Sequence, residues 1–140
     1  MSETAQAYSW IMSTCTADTA LMAVATGGVW QGFADLGVTA PYVLFVQQAM
    51  PDTMTLTGLR LFSRGLFQIK MVGPAASYAA LVTGADRIDA LFKNARSVAL
   101  SPSGGILASY REQSLSYDEL PNGIHYSHLG GLYTIDVQAS

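Results

Sequence analysis

Pro41-Tyr42-Val43-Leu44-Phe45-Val46-Gln47-Gln48 decides how the rest of the chain is read. From Val43 to Val46 every residue is β-branched, aromatic or leucine. The run is too short for a helix and lies between turn formers, Thr39-Ala40-Pro41 ahead and Pro51-Asp52 behind. An apolar run of that length between such signals reads as a strand buried on both faces along most of its length. Proline suits its first position, where no ladder donor is needed. A strand of this kind needs cover on both faces, from helices or from another subunit.

Upstream, residues 3–13 read as a helix with Ala5, Tyr8, Met12 and Cys15 on one apolar stripe. Thr16 or Asp18 can cap a second helical stretch from Thr19 to about Ala25, stopped by Gly27-Gly28. These are two helices or one bent one. Val29-Trp30-Gln31 is a short extended piece, and residues 32–40 are a loop into the central strand.

Downstream, residues 49–57 are polar, with Pro51-Asp52 as a turn. In residues 59–72, Phe67, Ile69 and Met71 alternate with Gln68 and Lys70, the pattern of a half-buried strand. Ser63-Arg64-Gly65 is a bulge within one long strand or a turn between two, and glycine inside a strand pattern favours the bulge. After Gly73-Pro74, Ser77 is placed to cap a helix running to about Asn94, with Tyr78, Leu81, Ala85, Ile88 and Phe92 on one face and Leu91 beside them. Gly84 costs that helix about 1 kcal/mol against alanine, which points to a close backbone contact. Ser101 to Gly105 is a turn, Ile106 to about Leu115 a strand, and Asp118 to Gly123 a polar loop. A last strand, Ile124 to Val137, is interrupted at Gly130-Gly131. It turns Tyr133, Ile135 and Val137 one way and Leu132, Thr134 and Asp136 the other. The expectation is one α+β domain over residues 1–140, an antiparallel or mixed sheet of about four strands covered by an N-terminal helix and one long central helix.

Of the 140 residues, 50% are hydrophobic and only 12% charged, about half the charged fraction of ordinary domains. Surface so poor in charge implies burial against copies or partners. The single cysteine, Cys15, excludes an intrachain disulfide and any multi-cysteine metal site. Met1-Ser2-Glu3-Thr4 lacks the basic start of a signal peptide. The apolar run near Ala20 to Trp30, broken by Thr26 and two glycines, falls short of the roughly 18 residues that span a bilayer. Every Lys and Arg lies between Arg60 and Arg111, while the flanks carry only acids, for a net charge of −3. That asymmetry can set opposite charge on opposite edges and dock copies in register. It is a poor nucleic-acid footprint, being acidic overall without a dense basic cluster.

No catalytic constellation stands out. His125 and His128, three apart on a strand, point to opposite faces and read as surface or interface histidines. Cys15 sits on the apolar stripe of the first helix and reads as a buried structural thiol. Glu112 and Asp118-Glu119 read as solvated acids. Gly27-Gly28 and Gly104-Gly105 match no phosphate-binding loop. Arg60, Arg64 and Lys70 share a strand and can meet acids or phosphates on a partner. Trp10, Trp30 and tyrosines such as Tyr117 and Tyr126 are candidate interface anchors, with core packing equally open to Trp10. The expected interface set is Arg60, Arg64 and Lys70 on a basic edge, Asp118, Glu119 and Asp136 on an acidic one, and Tyr117 and Tyr126. No cofactor or metal is expected.

Taken together, Ala40-Pro41-Tyr42-Val43-Leu44-Phe45, Phe67-Gln68-Ile69-Lys70-Met71-Val72-Gly73, the long helix after it and Gly131-Leu132-Tyr133-Thr134-Ile135-Asp136-Val137 resemble the tail terminator (tail completion) proteins of long-tailed bacteriophages. The resemblance implies an α+β subunit in a homo-hexameric ring that caps the tail tube and ends its growth. Its other side meets the head-completion connector, and DNA passes through without specific binding. It also implies a virion component assembled in the host cytoplasm, and no catalytic residues. Another ring-forming neck or tail-tube component is the alternative. A small α+β enzyme or ligand-binding domain is the third reading.

Overall fold

Phe67, Ile69 and Met71 do line one side of a strand, but it is longer than their alternation implies. In the computed structural model, which describes residues 2–35, 37–100 and 104–138, β4 runs unbroken over Arg60–Pro74. Chain order is α1 (Glu3–Ala17), α2 (Thr19–Val24), β1 (Val29–Gln31), β2 (Tyr42–Ala49), β3 (Asp52–Met54), β4, α3 (Tyr78–Phe92), β5 (Arg96–Ala99), β6 (Gly105–Glu119) and β7 (Tyr126–Gln138). The sheet has seven strands, against about four expected. Its order is β1-β2-β4-β7-β6-β5, with β3 hydrogen-bonded to β4. It is mixed because β1 runs parallel to β2 while the other pairs are antiparallel.

The helices lie on one face of the sheet. Ala7, Trp10, Ile11 and Cys15 of α1 and Leu81, Ile88 and Phe92 of α3 share one core with Val43, Phe45, Phe67, Ile69, Met71, Tyr133, Ile135 and Val137. The inward line of α1 is therefore rotated from the expected stripe: Ala5, Tyr8 and Met12 are only half-buried. Trp10 meets the Phe92 ring edge-on at 5.2 Å, which makes it a core residue. Asp18 separates α1 from α2, so the N-terminal region is two helices. Its Oδ1 accepts the Leu21 N–H at 2.8 Å, and its carboxylate also receives Arg87 of α3, with Nη2 2.6 Å from Oδ2. That one residue caps a helix and ties two together.

Gly84 makes the close approach its position implied: a Cβ there would lie 2.6 Å from the Met71 sulfur. Ser77 differs from expectation. It belongs to a 3-10 turn, Ala75–Ser77, and makes no side-chain cap bond to α3. Tyr78, placed on the inner face by its spacing, is half exposed. No register shift occurs at Ser63-Arg64-Gly65 against β7; the irregularities in β4's pairing lie opposite Thr53/Met54 and Gln47/Ala49. The stretch is one strand, as favoured, but the bulge is elsewhere. Gly65 is explained by packing, because a Cβ would run into Phe67 and Met50.

Three stretches expected as loop or break are strand. Residues 52–54 pair with the start of β4, β6 continues through Asp118 and Glu119, and β7 passes Gly130-Gly131 without interruption. Of the turn expected at Ser101 to Gly105, residues 101–103 lie outside the described residues and Gly105 already opens β6. The central strand β2 is covered by helices on one face only. Val43 and Phe45 enter the core, while Leu44 and Val46 lie on the face that pairs Lys70 and Gln68 into register.

Candidate assembly surfaces

The sheet face away from the helices carries alternate residues of β4 and β7, and these place polar groups side by side. Arg64 and Asp136 are cross-strand partners joined by two hydrogen bonds, Nε to Oδ1 at 2.8 Å and Nη2 to Oδ2 at 3.0 Å. The paired carboxylate raises the Arg64 guanidinium pKa further. Arg60 reaches Glu3 at 2.8 Å and Asp52 at 3.7 Å. Asp118 accepts the Ser127 hydroxyl at 2.8 Å, with His125 at 3.4 Å; the Ser127 bond, ahead of His125, holds its carboxyl below the usual range.

Lys70 departs furthest from the sequence reading. It is only 4% exposed, where a solvated or partner-facing cation was expected. Its Nζ bonds the Tyr117 hydroxyl and Gln68 Oε1, the latter at 3.2 Å, and lies 4.8 Å from the Tyr117 ring centroid. Tyr117 in turn stacks on His128 at 4.3 Å. His128, expected at the surface or an interface, is 6% exposed within the subunit. Its Nε2 touches Glu119, but neither ring nitrogen makes an aligned hydrogen bond. Gly130 provides the room: a Cβ there would strike Ile69 O and Lys70. The acids and bases expected on separate edges are thus interleaved within one subunit. Arg64 neutralises Asp136, and Lys70 is linked to Glu119 through two stacked rings, Tyr117 and His128.

Tyr126 joins Tyr42, Val72, His128, Glu119 and Pro121 around a recess of about 190 Å³, closed on its other side by the loop residues Ala34, Asp35 and Val38. Burial, then Tyr126, Glu119 and Tyr117, push the Tyr42 hydroxyl pKa up. Cys15 is fully buried and its thiol is pushed up to about 12, so it stays protonated and unreactive. Among the described residues no group of three or more His, Cys, Asp or Glu is placed to hold a metal ion, and no helix is long and apolar enough to cross a membrane.

His128 carries a pH signature. Burial lowers its pKa, helped by nearby Lys70 and opposed by Glu119 and Asp118. A histidine so lowered binds fewer protons folded than unfolded, so its contribution is complete above the unfolded value of about 6.5 and is lost progressively as pH falls below it. The urea midpoint of the wild type is expected to decline from pH 7 to pH 5, and His128→Gln to flatten that decline. Equal slopes in the two proteins would show that the ring is not held neutral. The carboxylate contributions, Asp18 and Asp118 among them, are lost only at lower pH, because their folded pKa values lie below the ordinary carboxylate range.

Two apolar groups lie where sequence reasoning placed none. Met54, Leu56, Leu59 and Leu61 are exposed on the β3–β4 hairpin, with Leu56 standing entirely clear of the chain (108%). Phe33, Leu120 and Ile124 are exposed near the β6–β7 turn. The hairpin is well ordered by hydrogen bonds. Thr55 N donates to Leu59 O at 2.7 Å, Gly58 N to Thr55 O at 3.0 Å, and Leu59 N to Thr55 Oγ1 at 3.0 Å. The signal was present in Leu56-Thr57-Gly58-Leu59: leucines on either side of a turn glycine are out of place unless something covers them.

The fold so defined is a mixed α+β sheet with helices on one face, a largely buried polar network on the other and apolar hairpin ends. It is shared, at a TM-score of 0.72 and 18% sequence identity over 96% of this chain and 93% of the other, with a chain of the structure described as "Virion of native gene transfer agent (GTA) particle". No family model and no curated protein matches the chain.

Proposed function

We propose that this chain is a structural subunit of a phage-like virion, a tail terminator that closes into a hexameric ring. The ring caps a tail tube, meets a head-completion connector on its other side, and lets DNA pass without specific contacts. The observation that carries the reading is a fold shared nearly end to end with a chain of a gene transfer agent virion. The sparse charge and the uncovered leucines support it, since both are expected of surface hidden in an assembly. The protein acts by shape rather than by chemistry.

Within this reading the interface residues take two roles. Arg60, Arg64, Lys70 and Asp136 hold strands and helix ends in place through contacts inside the subunit. Tyr117, Asp118, Glu119 and Tyr126, at the β6–β7 end, present the surface a neighbour meets.

Apolar groups at two separate hairpin ends also suit a tube component whose rings stack on both sides. Electron microscopy of the purified protein, alone and mixed with tube protein, separates the two. Discrete rings that shorten and cap tubes support the terminator. Long tubes of this chain alone support the tube component. Monomers under both conditions remove both readings.

A further inference from the structure

We infer that the recess between Ala34, Asp35 and Val38 and the ends of β2, β6 and β7 receives a basic side chain from a second copy of this chain, Arg96 above all. The inference rests on the ring reading and names the contact that would close it.

The recess is built for a cation. Asp35 and Glu119 are the acids of its lining, and Tyr42 and Tyr126 are its aromatic residues. His128 is 6% exposed and leaves Nδ1 with no partner and Nε2 without an aligned one. Burial first, then Tyr126, Glu119 and Tyr117, pull the Tyr42 hydroxyl upward; of these groups Glu119 is the one that carries negative charge at neutral pH. Lys70 opposes that charge, but it lies outside the wall of the recess, with its amine held by Tyr117 and Gln68.

The chain itself offers few cations to fill the recess. Of its seven Lys and Arg, Arg60, Arg64, Arg87 and Arg111 already hold carboxylates, and Lys70 is buried. Lys93, at the C-terminal end of α3, and Arg96, the first residue of β5, remain, both exposed and in no ion pair among the described residues. A guanidinium fits the recess better than an ammonium, because it can fork across carboxylates while stacking on tyrosine.

The two surfaces cannot meet within one subunit. β5 pairs with the Gly105 end of β6, whereas the recess lies at the Glu119 end of that strand. Ala108, the strand partner of Arg96, and Glu119 are separated by roughly 35 Å of β6. Surfaces that are complementary yet distant on the same chain define a head-to-tail contact, which yields a ring when the rotation closes.

Charge reversal tests the pairing. Arg96→Glu and Asp35→Arg each alter an exposed residue that forms no ion pair, and each should raise the protein concentration at half-assembly by about tenfold or more without moving the melting temperature. The double variant should recover most of the loss. Independently, Arg96→Cys with Asp35→Cys should form interchain disulfides that resolve as a ladder up to the full ring, with the buried Cys15 silent. An assembled wild type, an equally assembled Arg96→Glu and no ladder would overturn the pairing and leave the ring reading intact. A wild type that never assembles would overturn both.

Discussion

Gly130→Ala should lower the unfolding free energy by about 3 kcal/mol, at the upper end for overpacking in a tight site, and the melting temperature by about 10 °C. The new Cβ would clash with the carbonyl oxygen of Ile69 and the Cα of Lys70. Both are backbone atoms of the neighbouring strand, so no side chain can swing away. Relief requires parting β4 from β7, which are in register from Ser63 opposite Val137 to Pro74 opposite Tyr126. The same methyl would displace the Lys70 stem and with it the amine that contacts Tyr117. Gly84→Ala is the control. The three atoms nearest its Cβ all belong to the Met71 side chain, an unbranched thioether that can change rotamer, and the helix regains about 1 kcal/mol of propensity. Urea titrations of the two variants should therefore rank Gly130→Ala as clearly the worse. If they are equal, backbone crowding at the β4–β7 ladder is not what requires glycine.

That contrast also marks how far local pattern carries. Gly84 was legible because a glycine inside a strong helical stripe has few other uses. Gly130-Gly131 read as a break because its reason, the backbone of β4, lies some sixty positions earlier in the chain. Apolar runs located β2, the second half of β4 and α3, since each buries one face against the same core. β3 and the last third of β6 escaped notice because most of their side chains are exposed. Alternation there has little burial to record, and pairing with β4 or β7 makes them strands.

The interface residues show the same limit. Charge segregation along the sequence was real, but it did not become segregation in space. Adjacency of β4 and β7 sets Arg64 against Asp136, and the return of β6 brings Tyr117 over Lys70 from 47 positions away. Alternation assigned Lys70 to the polar face correctly, yet gave no sign that Tyr117 would close over it. The exposed leucines at the β3–β4 tip were in plain view, and their polar surroundings disguised them as an ordinary turn.

Leu56→Asp with Leu59→Asp should abolish assembly while leaving the subunit folded. Neither leucine contacts the core, and the hairpin's hydrogen bonds run through Thr55, Gly58 and the backbone of Leu59, so the melting temperature should stay within about 1 °C of wild type. Burying one leucine side chain contributes about 2 kcal/mol. Two at each contact amount to about 4 kcal/mol, close to a thousandfold in the contact's dissociation constant. The aspartates add the cost of desolvating charge wherever the tip is covered. A hairpin already rigid in the free subunit loses little conformational freedom on docking, so most of that burial is expressed as affinity. Mass photometry and light scattering at micromolar concentration, alone and with tube protein, should find the variant monomeric and unable to cap. Rings that survive both substitutions would mean the tip faces solvent in the assembly. The contact would then have to come from the β6–β7 end, where Phe33, Leu120 and Ile124 are the remaining exposed apolar group.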